Sequence, residues 1–429
     1  MSFPSNLCLG LARAGALASL FVSYHALNLL AADSTPHQNP LGGLPSAPAS
    51  HIEKIKALEN GGWLNLSAPA PDPQWGKARG RAWACRMPYA PKLRGAFLVG
   101  EGVHGYVKPD GHIMDDLWFY DVMGHRWICC YPGTDVATIN LQVNKDGFEA
   151  DANGEPIPLS PLAHAYENVT YDADLHRLME MPCSNFDYLE KSVKQRRAAW
   201  LNAQSINKSF ASPWFFESQT GKWDRRATAT KSPPSGFGDA FIYLDSQHRA
   251  FFRHSEEVWF YDTAANSWSQ IKPDGPALPF GIDATSCYDP KRQRIYIGGG
   301  SYPITPAGTN PFRIFDLKTN SWIDPRPSGA PCHGSNSFAT NISAMEYDIV
   351  NDVVLLFRYG GENPAERGIF IYDPEANAWS DAQQSFPEKW DQCTNAFYEP
   401  VLNVYFFHIA HDSEDNGVIW IYRYKQRKS

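Results

Sequence analysis

Three groups of side chains in this 429-residue sequence have the types needed for acid–base or ion-binding chemistry. His104 and His112 share the segment 101–116 with Tyr106, Asp110 and Asp115. Such a set is able to bind a metal or to act as acid and base, the plain alternative being a solvated loop. His408, His411 and Asp412 form an H-x-x-H-D run near the other end. On one strand those two histidines point to opposite faces, so joint ligation of a metal requires a turn between them. Arg253, His254 and Arg358 are cationic or titratable groups at the ends of apolar runs. They suit the carboxylate or sulfate of an acidic sugar, or else a charge pair within the fold. Tyr302, in the polar segment 301–311, is a further candidate ligand contact. A divalent cofactor is compatible with these residues, but no spacing among them indicates one. No GxSxG elbow, P-loop, HExxH or dinucleotide fingerprint stands in a suitable context.

The elements that must position these groups come from a repeat. Apolar residues alternate, an acid follows, and a tryptophan comes six residues after the acid. Five copies are intact: LWFYDVMGHRW, WFFESQTGKW, VWFYDTAANSW, FRIFDLKTNSW and IFIYDPEANAW, ending at Trp127, Trp223, Trp268, Trp322 and Trp379. Each reads as a strand, a tight turn capped by the acid, and a second strand opened by the aromatic. A second hairpin pattern alternates with it, starting at Tyr89, Tyr171, Leu244, Tyr288, Tyr347 and Tyr398. One of each gives a four-stranded antiparallel blade, and six such blades are expected. The interval between Trp127 and Trp223 leaves room for a seventh, or for an insertion that reads as a short helix at 184–210 (including DYLEKSVKQRRAAWLNAQ). The last blade lacks its tryptophan strand, and GGWLNLSAPAPDP around Trp63 resembles the segments that come after the other tryptophans. An N-terminal strand is therefore expected to complete the last blade and close the ring.

Over residues 60–425 this pattern resembles the kelch-repeat propellers, the family of the galactose oxidase central domain, whose blades carry a diglycine followed by a spaced Tyr and Trp. Gly298-Gly299-Gly300 and Gly360-Gly361 match the diglycine, whereas Arg253-His254, Met181-Pro182 and His408 stand near its place elsewhere. The resemblance implies an all-β propeller whose ligands bind where loops converge on the central channel. The copper radical site of galactose oxidase does not map onto residues of this chain.

Composition and the chain ends bound the function. Aromatics at 14%, with 33 Pro and 32 Gly, lean towards short strands and many turns. A net charge of −8 offers no footprint for nucleic acid. Arg13 precedes an apolar run, 14–32, that ends in small residues and reads as a signal peptide. Ser23, Tyr24, His25 and Asn28 interrupt it, so an uncleaved anchor, and with it membrane contact, is the lesser reading. Residues 33–59 read as a linker. The expected setting is secreted or periplasmic, and the expected state a monomer. Of eight cysteines Cys8 lies in the leader, and the other seven show no CxxC spacing, so no zinc site is read from them. Cys129 and Cys130 point to opposite faces if extended.

Three classes of function are compatible with this reading. The first is an exported propeller that binds a protein or a glycan. The second is a carbohydrate-active enzyme, foremost a polysaccharide lyase, in which an arginine neutralises a uronate carboxylate while a histidine or tyrosine removes the C5 proton. A sugar-acid oxidoreductase or isomerase is a remaining class. Convergence of His104, His254, Arg358 and His408 on one channel mouth would favour an enzyme; scatter would favour binding.

Overall fold

The computed structural model describes residues 39–427 apart from 85, 101–106, 136, 138–141, 159–164, 183–211, 235, 237–239, 278–283, 299–311, 330–342, 359–366 and 391–392. The expected leader and the expected helix at 184–210 lie outside the described residues. The first elements are a short helix, α1 (His51–Lys56), and strand β1 (Trp63–Asn65).

Six four-stranded antiparallel sheets make up the rest. Blade 1 is β2 (Tyr89–Ala90), β3 (Gly95–Leu98), β4 (Leu117–Asp121) and β5 (Arg126–Tyr131). A separate hairpin, β6 (Gln142–Val143) and β7 (Glu149–Ala150), precedes blade 2, which is β8 (Val169–Asp172), β9 (Arg177–Glu180), β10 (Trp214–Glu217) and β11 (Lys222–Asp224). Blade 3 is β12 (Ala240–Leu244), β13 (Arg249–His254), β14 (Glu257–Asp262) and β15 (Ser267–Ile271). Blade 4 is β16 (Thr285–Asp289), β17 (Arg294–Gly298), β18 (Phe312–Asp316) and β19 (Ser321–Ile323). Blade 5 is β20 (Ser343–Asp348), β21 (Val353–Arg358), β22 (Gly368–Asp373) and β23 (Ala378–Asp381). Blade 6 is β24 (Thr394–Glu399), β25 (Val404–Ile409), β26 (Val418–Tyr422) and, returning from the other end of the chain, β1. The six-bladed all-β propeller is thus as expected, and the interval before Trp223 contributes a two-stranded hairpin among its described residues rather than a seventh blade.

The repeat acids do what their position demands. Asp121 Oδ1 accepts the amides of Met123 and Gly124, both at 3.1 Å, and Asp373 Oδ1 those of Glu375 and Ala376 at 2.8 and 3.0 Å. Asn377 then adopts φ 48°, a left-handed value that asparagine tolerates, and its side chain accepts a 2.9 Å bond from the Tyr372 hydroxyl. That combination makes a tight hairpin from local chemistry alone.

First strands β2, β8, β12, β16, β20 and β24 neighbour one another in that order, and β24 meets β2, so the ring is closed around an axis. Six apolar cores lie between successive blades. Each receives one tryptophan of the repeat: Trp127, Trp223, Trp268, Trp322, Trp379 and, between blades 5 and 6, Trp63. Cys129 and Cys130 enter the two different cores flanking blade 1, as strand alternation requires.

The segment expected as a linker is packed chain from residue 39 onward. Asn39 donates to the Ser218 carbonyl at 3.0 Å on blade 2, and Ser46 bonds Asp121 on blade 1. His51 Nε2 meets the Val122 carbonyl at 2.8 Å, while Ile52 and Ile55 of α1 enter the core between blades 1 and 6. Arg423 donates to the Ile55 carbonyl at 2.7 Å. A strap therefore crosses three blades before β1 pairs with β26 in the register Trp63 to Tyr422 and Asn65 to Trp420.

Candidate functional site

Every first strand runs into its turn through a tyrosine. Tyr89, Tyr171, Tyr243, Tyr288, Tyr347 and Tyr398, one per blade, line a single cavity of about 300 Å³ on the propeller axis. Four hydroxyls reach the preceding blade: Tyr89 to Glu399 at 2.7 Å, Tyr288 to Ser246 at 2.6 Å, Tyr398 to Asp348 at 3.1 Å, and Tyr243 to Asp174. Tyr171 and Tyr347 bond within their own blades, to Ser218 at 3.1 Å and Asp352 at 2.7 Å. Burial pushes the Tyr171 phenol up to about 12 and the others upward too, so these hydroxyls stay protonated and donate rather than act as bases near neutrality.

Arg86 and Glu346 bring charge to the lining of the cavity, and Glu167 pairs with Arg86. Arg86 bridges Glu167 at 2.8 Å and also donates to the Ser286 carbonyl. Glu167 accepts the hydroxyls of Ser286 at 2.8 Å and Thr285 at 3.3 Å. Glu346 lines the same cavity, and burial pushes its carboxyl up to about 7, with Arg86 pulling the other way and Glu167 adding to the rise. Around the opening stand Pro91, Pro290, Pro400 and Ile349. Four large apolar side chains are exposed among the described residues, and three of them, Leu175 (41%), Ile349 (53%) and Val401 (65%), sit in the turns that surround this mouth.

The residues singled out from sequence lie elsewhere. Second strands lead away from these turns, so Arg253 and His254 at the end of β13, and Arg358 at the end of β21, belong to the opposite end of the blades. Arg253 and Arg358 are buried, and Arg253 donates to the Ser255 carbonyl at 3.0 Å. His408 is buried in β25, with Nε2 at 3.1 Å from the Asn416 carbonyl and its ring edge-on to Trp127 at 5.1 Å. His254 is half-buried; His411 is exposed, with its amide bonded to Asp415 at 3.0 Å. His112 stands 3.4 Å from Asp110 and edge-on to Trp75 at 5.6 Å. None of these lines the axial cavity. His254, Arg358 and His408 all stand towards the ends of second strands, away from this mouth, and Arg358 and His408 are buried. His104, Tyr106 and Tyr302 lie outside the described residues. Among the described residues, no group of three or more His, Cys, Asp or Glu is placed to hold a metal.

No protein-family model matches the chain, and no curated protein does.

Sequence reasoning also missed a charged cluster between blades 1 and 6. Arg81 is fully buried against Asp116, whose other oxygen accepts Lys108 Nζ at 3.0 Å and Trp118 Nε1 at 2.8 Å. Burial works against the Asp116 charge, but Arg81 and Lys108 outweigh it and hold the carboxyl below its usual range. The one visible signal was an acid pair, Asp115-Asp116, directly ahead of the apolar run of β4.

Buried histidines and buried acids give opposite pH dependences. Burial pushes His408 and His125 down to about 4, His51 adding to the effect on His125, against 6.5 for an ordinary imidazole. Unfolding takes up protons between those values, so this contribution is complete above about pH 6.5 and is lost as pH falls towards 4. Burial raises Glu180 to about 8, helped by Asp115, and Glu346 to about 7, against an ordinary 4.5. Here the folded state holds the extra protons, so stability is complete below about 4.5 and is lost as pH rises through 7 to 8. The two trends offset between about pH 4.5 and 6.5. Urea midpoints are expected to be level there and to decline on both sides, with Glu180→Gln flattening the alkaline decline. An alkaline limb unchanged in that variant would overturn the assignment.

Proposed function

We propose that this chain is an exported, kelch-type propeller that works as a binding module, with the tyrosine-lined axial mouth as its ligand site. The observation that carries the reading is the mouth itself: six blades each contribute one tyrosine to one cavity, with a few charged groups beside it and exposed apolar residues around the opening. Concave, mostly apolar sites with a few convergent polar groups are where ligands bind. The repeat tryptophans and the diglycines support the kelch relationship, and the apolar run 14–32 supports export.

The lyase reading has less support. It needs a cation and a base that reach a sugar, whereas Arg358 is 1% exposed and His408 is buried and held neutral. Incubation with polyuronates, followed by ultraviolet absorbance of unsaturated products, is expected to show no turnover. Arg358→Ala is expected to lose about 2–3 kcal/mol of stability, the size of a buried hydrogen-bonded charge. Turnover by the native protein, abolished in Arg358→Ala at unchanged stability, would reinstate the enzyme.

A further inference from the structure

The charges in the axial mouth do not balance. Arg86 and Glu167 satisfy each other at 2.8 Å, with Ser286 and Thr285 completing the carboxylate's bonds. Glu346 is the second acid of the group, it lines the cavity, and no donor to it is found among the described residues. With Glu346 ionised the three side chains carry one net negative charge, which a monovalent cation would neutralise. The way in is lined by tyrosine rings, which favour cations over anions. Asp245, another lining residue, is exposed.

Size narrows the class. Ligand pockets run roughly 300–1,000 Å³, and a cavity of about 300 Å³ stands at the small end. It has room for one long side chain rather than for a stretch of polysaccharide. The surrounding turns expose Leu175, Ile349 and Val401, a surface suited to the body of a protein that presents such a side chain.

We propose that the channel mouth receives a single basic side chain, a lysine or arginine presented by a partner protein, with the Glu346 carboxylate as its acceptor. The inference rests on the reading of this mouth as the ligand site and adds the chemistry of what enters it. Ionised Glu346 is the form that binds. Its carboxyl sits near 7 because burial outweighs Arg86, and Glu167, Cys287 and Tyr405 are the other titratable groups that sense it. Binding should therefore tighten from pH 6 to pH 8.

The test uses capped tripeptides with Lys, Arg, Gln or Glu at the centre, and oligouronates, titrated into the full chain by calorimetry at both pH values. Lys and Arg peptides are expected to bind, and more tightly at pH 8. Glu346→Gln, which keeps the side chain's shape, should weaken them about tenfold or more and remove the pH dependence, as expected for loss of a hydrogen bond to a charged acceptor. Glu180→Gln, whose site is remote from the mouth, should change neither. Equal binding of basic peptides by Glu346→Gln would overturn the assignment of the acceptor. Binding of Glu peptides or oligouronates in their place, weakened by substitution of Ile349 at the rim, would overturn the cationic class while leaving the mouth as a ligand site. No binding by any probe would overturn both readings.

Discussion

Asp116→Ala is expected to lower the unfolding free energy by about 3–5 kcal/mol, the cost of breaking a buried ion pair by removing one partner. Arg81 is fully buried and its carboxylate partner nearly so; Lys108 and the Trp118 indole share the other oxygen. Alanine leaves Arg81 and Lys108 with backbone carbonyls but without the carboxylate that balances their charge, and takes the acceptor from the Trp118 indole N–H. Asp116→Asn would keep the volume and one acceptor but not the charge, and should fall between the two. The measurement is denaturant unfolding at constant m-value; a loss below about 1 kcal/mol would mean that water already serves this cluster. Replacing Arg81, Lys108 and Asp116 together with apolar residues should recover much of the loss, since a buried ionic triad is often no better than well-packed apolar groups.

Trp63→Ala is expected to cost about 3 kcal/mol, towards the lower end for a tryptophan because the residue is half-buried. Its ring lies 4.7 Å from Tyr422, 5.2 Å from Trp390 and 5.7 Å from Phe407, so truncation empties the core between blades 5 and 6. The effect should exceed that of removing any exposed aromatic, such as Trp75, by a wide margin. If closing strand β1 were dispensable, thermal unfolding of Trp63→Ala and of the native chain would coincide.

What could be read from the sequence was what repeats. The turn acids and interblade tryptophans recur because each blade solves the same packing problem, and Trp63 was recognisable as the sixth by the residues after it. The axial mouth was half visible. Five of its tyrosines head the hairpin pattern, but Tyr243 was hidden because that hairpin was read from Leu244, and nothing local shows that six strand ends meet on one axis. Arg253, Arg358 and His408 stand at or near strand ends, where polar groups usually face water, yet the fold buries them. Their burial depends on contacts such as His408 with Trp127, far apart in sequence and fixed only by ring closure. Arg81 and Asp116 are separated by 35 residues and fall outside the repeat, so no pattern joined them.

The closing pair of strands carries a consequence for how the protein is made. Residues 63–65 wait for residues 420–422, so β1 has no partner until almost the whole described chain has been synthesised. The entropy of so long a closure is modest, because each doubling of loop length adds only about 0.6 kcal/mol. The delay matters more than the cost. During it, the nascent ring presents unpaired edges, the kind of surface that recruits other unfinished chains. The strap of residues 39–61 docks on blades 1 and 2, which emerge early, and so holds β1 near the gap that blade 6 will fill throughout that interval.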